Sequence, residues 1–313
     1  MVAMDAHASS RGVPCYDAAM HRRALLSRAL AAPATLAGLA GCGVEPTIAD
    51  GPDAPNFTPS GAHPRLALVL AAGGPRGFAH VGVLRALDEL GLRPDLIVGA
   101  SVGALMGSAL AAGLSIAQIE ALAFDFDFYR LARWSPGNGL KLDGRGISEL
   151  VHQRLGVRRF EQLHTPLAVV ATDVQLNAPA VFNRGEIAPA VQASCAIPRW
   201  FAPVRIRGRE FVDGDASSPL PVKAARALGA QKVLAVDVAI HIDKARPAGA
   251  ERYLDSDIAK RAQIDAEARQ ADLVLHPYFG YWVNLSREFR ENAARAAYEQ
   301  TLTQAPSLRR LFA

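Results

Sequence analysis

The pentapeptide Gly99-Ala100-Ser101-Val102-Gly103 has residue types and a spacing that suit nucleophilic catalysis. It follows the short apolar segment 96–98 and precedes a helical pattern. A serine on a tight strand-to-helix turn holds its hydroxyl above the sheet, and glycine on either side avoids collision with neighbouring backbone. The start of a helix also favours negative charge at the serine oxygen. The motif predicts that Ser101 is a nucleophile on an elbow formed with Gly99 and Gly103.

A second glycine-rich turn, 73–77, reads Gly-Gly-Pro-Arg-Gly and follows the apolar strand pattern of 66–71. Successive glycines after a strand direct backbone N–H groups into one concavity, which suits an oxyanion or a phosphate. Pro75 has no N–H, so only its neighbours can donate. The G-x-G-x-x-G spacing of a dinucleotide loop is not met. An oxyanion hole and a phosphate loop both remain open from these residues.

A base for the serine is sought among the carboxylates and histidines. Asp213 follows the short apolar stretch 211–212 and precedes Gly214, in a loop able to reach the carboxyl edge of the sheet. Most of the eight histidines are poorly placed, since they fall in a signal region, a polar loop or a helix. His276, which follows the strand pattern 273–275, is the credible triad histidine. Asp213 and His276 are therefore alternative bases.

The composition is that of a globular protein. The chain has 313 residues, of which 50% are hydrophobic and 20% charged, and this excludes a disordered, collagen-like or coiled-coil protein. Three scattered cysteines exclude a disulfide scaffold and a cysteine-rich zinc site. No histidine or carboxylate cluster has ligand spacing, so neither a metal nor another cofactor is expected. The net charge of +4 is too small and too evenly spread to indicate a nucleic-acid partner.

Apolar strand patterns alternate with helical patterns over the folded part. Strands are predicted at 66–71, 96–98, 167–171, 232–238 and 273–275, and helices near 78–90, 102–112, 116–123, 144–155, 187–196, 221–228, 255–270 and 286–303. This alternation predicts a three-layer α/β/α fold with a mainly parallel central sheet. The aromatic segment 124–142 is expected to form a flap over the edge of the sheet.

The N-terminal region is predicted to be a secretory signal over residues 1–41, with Met20 as an alternative start. A basic stretch precedes the apolar segment 29–40, and Leu39-Ala-Gly-Cys42 resembles the lipobox of bacterial lipoproteins. Cys42 is then lipidated, and the proline-rich residues 42–64 form an extended tether that buries no apolar area. Gly43 is not the aspartate that retains lipoproteins in the inner membrane, so a periplasm-facing position on the outer membrane is expected.

The motifs, in this order, resemble the bacterial branch of the patatin-like phospholipases. Residues 72–84 match the family's Gly-Gly-Gly-x-Arg-Gly block and the helix after it, except that Ala72 replaces the first glycine. The serine motif also matches, as do the stretches 171–182, 190–198 and 201–214. The similarity covers residues 65–280 as a catalytic domain. Residues 281–313 are then a C-terminal helical extension packed on that domain.

The resemblance implies a patatin-like fold and a Ser101–Asp213 dyad without a histidine. It also implies an oxyanion hole of backbone N–H groups around Gly73, Gly74 and Arg76. The implied substrates are phospholipids or other acyl esters at a membrane surface. Asp215 stands where the family usually has glycine or alanine. A second carboxylate so close is expected to raise the pKa of Asp213 or to alter its loop. The segments 124–134 and 200–201 are candidates for lining an acyl-chain groove.

Two other functions remain compatible with the sequence. One is an α/β-hydrolase esterase in which Ser101, an aspartate and His276 form a triad. The other is a catalytically idle lipoprotein that binds lipid or a protein partner, which the unusual Asp215 makes plausible. Protein partners, head group, acyl position and chain length are not predicted by these residues.

Overall fold

The computed structural model describes residues 48–59, 61–125, 133–134 and 142–313. Over these residues, eleven strands form a nine-stranded sheet and a separate two-stranded one. The strands are β1 Ile48–Ala49, β2 Leu66–Leu70, β3 Leu96–Ala100, β4 Arg133–Trp134, β5 Leu142–Asp143, β6 Leu167–Asp173, β7 Ala178–Phe182, β8 Val204–Ile206, β9 Arg209–Val212, β10 Lys232–Val236 and β11 Leu273–Leu275.

The large sheet has the strand order β1-β8-β9-β6-β3-β2-β10-β11, with β7 paired to β6 outside this path. The run from β6 through β3, β2 and β10 to β11 is parallel throughout. The antiparallel pairs are β6 with β7, β6 with β9, and β8 with β9. The prediction of an α/β fold with a mainly parallel sheet is confirmed.

The sequence prediction lacks β7 and β8 and contains only the short apolar stretch 211–212 of β9. β8 and β9 have only three and four residues, and β7 and β9 have several partly exposed positions, in contrast to the continuous burial of β2, β3 and β6. Strands covered on both faces show an unbroken apolar run, whereas a half-exposed antiparallel strand shows only a weak alternation. The apolar pattern therefore identifies the parallel half of the sheet alone.

Helices flank the sheet, and most lie where the periodicity predicts them. One of them, at the C-terminal end, packs closely on the first, because a Cβ added at Gly82 would lie 1.8 Å from the carbonyl oxygen of Ala294. Within the described residues, no helix is both long and apolar enough to cross a membrane. The helices are α1 Phe78–Glu89, α2 Val102–Ala111, α3 Ile116–Phe124, α4 Arg145–Arg154, α5 Ile187–Ser194, α6 Val222–Ala227, α7 Leu254–Ala268, α8 Arg287–Thr303 and α9 Ala305–Phe312.

The prediction of a tether that buries no apolar area is wrong over part of its length. Ile48–Ala49 pairs with β8, and Ala54 is only 3% exposed. The Arg207 side chain donates hydrogen bonds to carbonyl oxygens of this segment, including that of Ala54 at 2.9 Å. Backbone pairing at a sheet edge needs no apolar run, so the composition did not indicate it. Residues 42–47 lie outside the described residues.

Candidate active site

The serine motif forms the turn between β3 and α2. Ser101 has φ 53° and ψ −125°, a conformation that a non-glycine residue rarely adopts. A Cβ added at Gly99 would lie 2.5 Å from the carbonyl oxygen of Gly103, and one at Gly103 would lie 2.2 Å from that of Leu70. Backbone thus passes so close on both sides that only glycine fits at either position. The predicted elbow glycines have a steric reason in the fold.

A buried serine from another helix holds this turn in place. The backbone N–H of Ser101 donates to Ser194 Oγ at 2.8 Å, and Ser194 Oγ donates to the carbonyl oxygen of Val170 at 2.6 Å. The two hydrogen bonds connect the turn to the end of α5 and to β6. In the sequence, Ser194 is only part of a stretch that resembles the family. Nothing there indicates its contact with the turn, which the tertiary structure reveals.

Asp213 lies directly opposite Ser101. The hydroxyl of Ser101 donates to Asp213 Oδ2 at 2.8 Å, and the two residues are 5% and 2% exposed. Their meeting follows from the register on β6, where Ala100 pairs with Val170 and Val212 pairs with Thr172. Because β7 occupies the other edge of β6, strands β3 and β9 run along the same edge toward each other. The residue after each strand therefore faces the residue after the other.

Three further hydrogen bonds hold Asp213, two through its backbone and one through its carboxylate. Its backbone N–H donates to the carbonyl oxygen of Ala196 at 3.0 Å, and its own carbonyl oxygen accepts from Thr172 Oγ1 at 2.8 Å. The N–H of Asp215 donates to Asp213 Oδ1 at 2.8 Å. One carboxylate oxygen is thus held by the loop, and the other is directed at the serine.

The pKa of Asp213 is raised from 3.8 to about 7, mainly by burial and in the same direction by the negative charge of Asp215. Hydrogen bonds from Asp215 N and Ser101 and the charge of Lys260 oppose this rise. A carboxylate with a pKa near neutrality is a much better proton acceptor than an ordinary aspartate. The expected influence of Asp215 on the pKa of Asp213 is present, and burial is the larger cause.

Asp215 has a charge partner that no motif indicates. Lys260, on α7, places Nζ 2.8 Å from Asp215 Oδ2 and 2.8 Å from the Asp215 carbonyl oxygen. The negative charge of Asp215, the residue that departs from the family pattern, is therefore neutralised by a lysine 45 positions later in the chain. The loop keeps the Asp213 geometry described above despite the second carboxylate.

An apolar cavity of about 400 Å³ opens beside Ser101. Trp200 and Phe201, both expected in a groove, lie on its wall. Of the aromatic segment 124–134, Phe126, Phe128 and Tyr129 lie outside the described residues. Most of the lining is hydrocarbon, a typical environment for an acyl chain. Other lining residues include Phe78, Leu105, Met106, Ile147, Ile197 and Leu285.

The predicted oxyanion residues are separated by the structure. Gly74 lines the cavity that contains Ser101, and its φ of +52° is one that glycine adopts without strain. Gly73 does not line that cavity and borders a second, smaller one on the other side of the loop. The backbone N–H of Arg76 donates to the carbonyl oxygen of Gly73 at 3.0 Å. This hydrogen bond forms part of the turn, and the role of Arg76 as an oxyanion donor stays a prediction.

The structure gives the histidines other partners. His276 Nε2 lies 3.0 Å from the carbonyl oxygen of Ala239 and 3.8 Å from Asp237 Oδ2, and its ring stacks on His241. His80 is completely buried, with Nε2 2.9 Å from the carbonyl oxygen of Ala71. Burial lowers the pKa of His80 to about 4, so its ring is neutral. The position beside the Ser101 hydroxyl belongs to Asp213.

A larger cavity, of about 630 Å³, lies at the opposite edge of the sheet. Arg65, Leu96 and Leu167, on its wall, stand at the amino ends of β2, β3 and β6. Ligands of open parallel sheets bind outside the carboxyl ends of the strands, where Ser101 lies. The chemistry therefore points to the smaller apolar cavity. Among the described residues, no group of three His, Cys, Asp or Glu side chains is arranged to hold a metal ion.

Comparison with known proteins finds a family model and several relatives that match part of this chain. The family model for patatin-like phospholipase matches residues 68–226. An uncharacterised NTE family protein of Mycobacterium tuberculosis is 36% identical over 177 residues, which are 56% of this chain and 49% of that protein. The human patatin-like phospholipase domain-containing protein 6 is 30% identical over 181 residues, 55% of this chain and 13% of that protein. The chain thus spans about half the length, or less, of these curated relatives.

A solved structure has a similar fold. The crystal structure of VipD from Legionella pneumophila superposes with a TM-score of 0.57, at 17% sequence identity, over 79% of this chain and 68% of that one. The segment matched by the family model includes the glycine-rich turn, Ser101 and Asp213.

Proposed function

The chain belongs to the patatin-like phospholipase family, and from that premise we propose that it is a serine acyl-ester hydrolase of the phospholipase A type. The observation that carries the proposal is the 2.8 Å hydrogen bond from Ser101 Oγ to Asp213 Oδ2 on a strained turn. It is supported by the apolar cavity of about 400 Å³ beside that serine. A nucleophile, a base and an acyl-binding volume are then adjacent.

In the first half of the reaction, Ser101 Oγ attacks the ester carbonyl carbon while its proton passes to Asp213 Oδ2. The raised pKa of Asp213, about 7, makes this transfer favourable near neutral pH. The backbone N–H groups around Gly73, Gly74 and Arg76 and the positive end of α2 are proposed to stabilise the tetrahedral oxyanion. The C–O bond then breaks, and the proton on Asp213 passes to the leaving alcohol.

In the second half, water attacks the acyl-enzyme carbonyl and gives its proton to Asp213. The second tetrahedral species collapses with release of the fatty acid, and the proton returns to Ser101 Oγ. The apolar wall that includes Trp200 and Phe201 holds the acyl chain through both halves. No step requires a histidine.

The test is labelling of the purified chain with a fluorophosphonate probe, followed by peptide mapping and by assay of fatty-acid release from phospholipid vesicles. Wild type is expected to be labelled at Ser101 and to release fatty acid. Ser101→Ala should lose both activities and remain folded, with hydrolysis lower by about 10⁴-fold or more. Ser108→Ala removes a buried hydroxyl from the same helix region and serves as the matched control.

Two results would contradict the proposal. Absence of labelling in a folded wild-type chain would favour the idle lipid- or partner-binding lipoprotein. Loss of labelling in His276→Ala with retention in Asp213→Asn would favour a histidine base and the α/β-hydrolase type of esterase.

We also propose that the chain is an exported bacterial lipoprotein, attached through Cys42 to the periplasmic side of the outer membrane. The support is the lipobox-like sequence 39–42 with its basic and apolar lead. An anchor of this kind would raise the effective concentration of phospholipid at the active site. Metabolic labelling with an alkyne fatty acid should mark wild type and Cys15→Ser but not Cys42→Ser. Equal labelling of the two variants would refute the assignment.

A further inference from the structure

The glycine-rich turn borders two cavities, an apolar one and one with charged side chains on its wall. On one side lies the apolar cavity with Ser101, and on the other a cavity of about 190 Å³. Gly73 lines the second cavity and Gly74 lines the first, so the two volumes approach each other at the proposed oxyanion loop. At about 30 Å³ of liquid volume per water, the second cavity has room for a few waters or one small polar group.

The second cavity is lined by charged side chains. Arg76 and Lys260 contribute positive charge, and the neighbouring Arg261 adds a third cation. Arg261 is neutralised by Asp237 at 2.5 Å and Asp265 at 2.8 Å. The acidic wall residue Asp257 is neutralised by Arg246 at 2.6 Å.

Two of these cations retain the capacity to bind an anion. The Arg76 guanidinium is bound to the carbonyl oxygens of Gly280 and Tyr281, and over the described residues it makes no ion pair within 4.0 Å. Lys260 is paired with Asp215, but their side chains are 35% and 44% exposed. A solvated ion pair contributes little free energy and can exchange partners. Counted over the residues of its wall, the cavity thus has three cations against two carboxylates, Asp215 and Asp257.

We infer that this cavity binds the phosphate of a glycerophospholipid substrate, with Lys260 as the main ligand and the Arg76 charge in support. The inference rests on the proposed function and specifies its substrate. In an ester held at Ser101, the acyl chain and the leaving alcohol extend in opposite directions from the carbonyl carbon. With the acyl chain in the apolar cavity, the glycerophosphate side of the molecule is directed past the oxyanion loop toward Lys260.

The chemistry of the wall favours a phosphate over a neutral alcohol. A lysine ammonium on a flexible stem is a common phosphate ligand. Moving Nζ from Asp215 to a phosphate preserves a charge-assisted hydrogen bond, so the exchange loses little. Neutral glycerol offers no charge to compensate for the separation of Lys260 from Asp215. A substrate with phosphate is therefore preferred over a neutral ester with the same acyl chains.

The test compares dioleoyl-phosphatidylglycerol with dioleoylglycerol in the same detergent micelles, using wild type, Lys260→Met and Lys260→Arg. The measured quantity is the ratio of kcat/KM for the two lipids. Lys260→Met is expected to lower this ratio by about tenfold, as for loss of a hydrogen bond to a charged group, and Lys260→Arg should restore most of it. Since Lys260 also acts on the pKa of Asp213, the assay is run at pH 9, where Asp213 is ionised in all three proteins.

Lys244→Met is the matched control, because Lys244 also pairs with an aspartate, at 3.7 Å, and does not line either cavity. The ratio should equal that of wild type. An unchanged ratio in Lys260→Met, or an equal loss with both lipids, would overturn the inference. Inorganic phosphate is tested as an inhibitor in parallel. If Lys260→Met weakens that inhibition without changing the lipid ratio, the cavity takes free phosphate and the head-group assignment is wrong.

A binding measurement separates this inference from the proposed function. Ser101→Ala protein is titrated with glycerol 3-phosphate by NMR, with and without Lys260→Met. Binding that depends on Lys260 would support the phosphate site even if wild type hydrolysed no lipid, in which case only the proposed function would fail. Hydrolysis without Lys260-dependent binding or selectivity would retain the function and reject the site.

Discussion

The two proposed catalytic residues lie on turns that are built differently. Ser101 belongs to a turn whose shape is imposed locally, because Gly99 and Gly103 allow backbone contacts that any side chain would prevent. Asp213 belongs to a loop that is held by distant partners, namely the carbonyl oxygen of Ala196 and the hydroxyl of Thr172. The nucleophile follows a parallel strand of the core, and the base follows an antiparallel strand, β9.

The difference shows how one site can combine local and long-range determinants. A locally imposed turn is visible as a motif, since the residues that shape it are adjacent in sequence. A loop held by distant partners leaves only Asp-Gly, which is also typical of ordinary turns. The strand β6 connects the two, since β3 and β9 both pair with it. We expect substitutions in the two turns to have correspondingly different effects.

The largest effect is expected from Gly103→Ala, which attacks the locally imposed turn. The new Cβ would lie 2.2 Å from the backbone carbonyl oxygen of Leu70, and backbone in a central strand cannot move aside. The free energy of unfolding should fall by about 4 kcal/mol or more, with loss of hydrolysis. Urea unfolding followed by circular dichroism measures the change.

Gly61→Ala is the control, because a Cβ at Gly61 has no atom within 4 Å. Its stability should stay within about 0.5 kcal/mol of wild type. A stable and active Gly103→Ala enzyme would mean that the turn is not shaped by this close approach.

The next effect is expected from Asp213→Asn, which removes the base and keeps the loop. Asn retains an oxygen for the N–H of Asp215 and an amide that can donate to Ser101 Oγ. Hydrolysis should fall by about 10²–10⁴-fold, the usual contribution of a general base.

In wild type, kcat/KM should rise with pH through about 7 as Asp213 ionises. A rate independent of pH between 5 and 9 would argue against Asp213 as the base.

The same variant should be more stable than wild type at high pH. The pKa of Asp213 rises from 3.8 in an unfolded chain to about 7 in the fold, so the folded state binds the proton more tightly. The free energy of unfolding of wild type therefore falls as pH rises from about 4 to about 7. Asp213→Asn has no such titration, so its free energy of unfolding should exceed that of wild type by up to about 4 kcal/mol above pH 7. Near pH 4 the two proteins should be equally stable. Thermal unfolding across pH measures the difference, and equal curves would mean that Asp213 is not desolvated.

The smallest effect is expected from Ser194→Ala, which uncouples the serine turn from β6. The variant leaves the N–H of Ser101 and the carbonyl of Val170 without the Ser194 hydroxyl. The free energy of unfolding should fall by about 1–3 kcal/mol, and fluorophosphonate labelling of Ser101 should slow. Ser108→Ala, whose hydroxyl donates only within its own helix at 2.8 Å, should change neither quantity as much. Equal effects of the two substitutions would show that Ser194 has no special role in positioning the turn.

The sequence predicted the site unevenly. The elbow and the glycine-rich turn were recognisable because each is a continuous segment with glycine at sterically demanding positions. Asp213 was predicted as one of two alternative bases, and the resemblance to the family favoured it over His276, whereas Lys260 and Ser194 had no local signal. The roles of Gly73, Gly74 and Arg76 as oxyanion donors stay predictions, and the order of residues does not reveal the turn hydrogen bond from Arg76 N–H to Gly73.

By itself, the sequence determined the parallel strands, their helices and the turn that carries Ser101. Unbroken apolar runs, helical periodicity and obligatory glycines are local properties, and each is present in a few consecutive residues. Only the tertiary structure decided which carboxylate faces the serine, how its charge is balanced and where the two cavities lie. Those features depend on the register of β3 and β9 along β6 and on the packing of α7, and such long-range pairings leave little trace in any single segment.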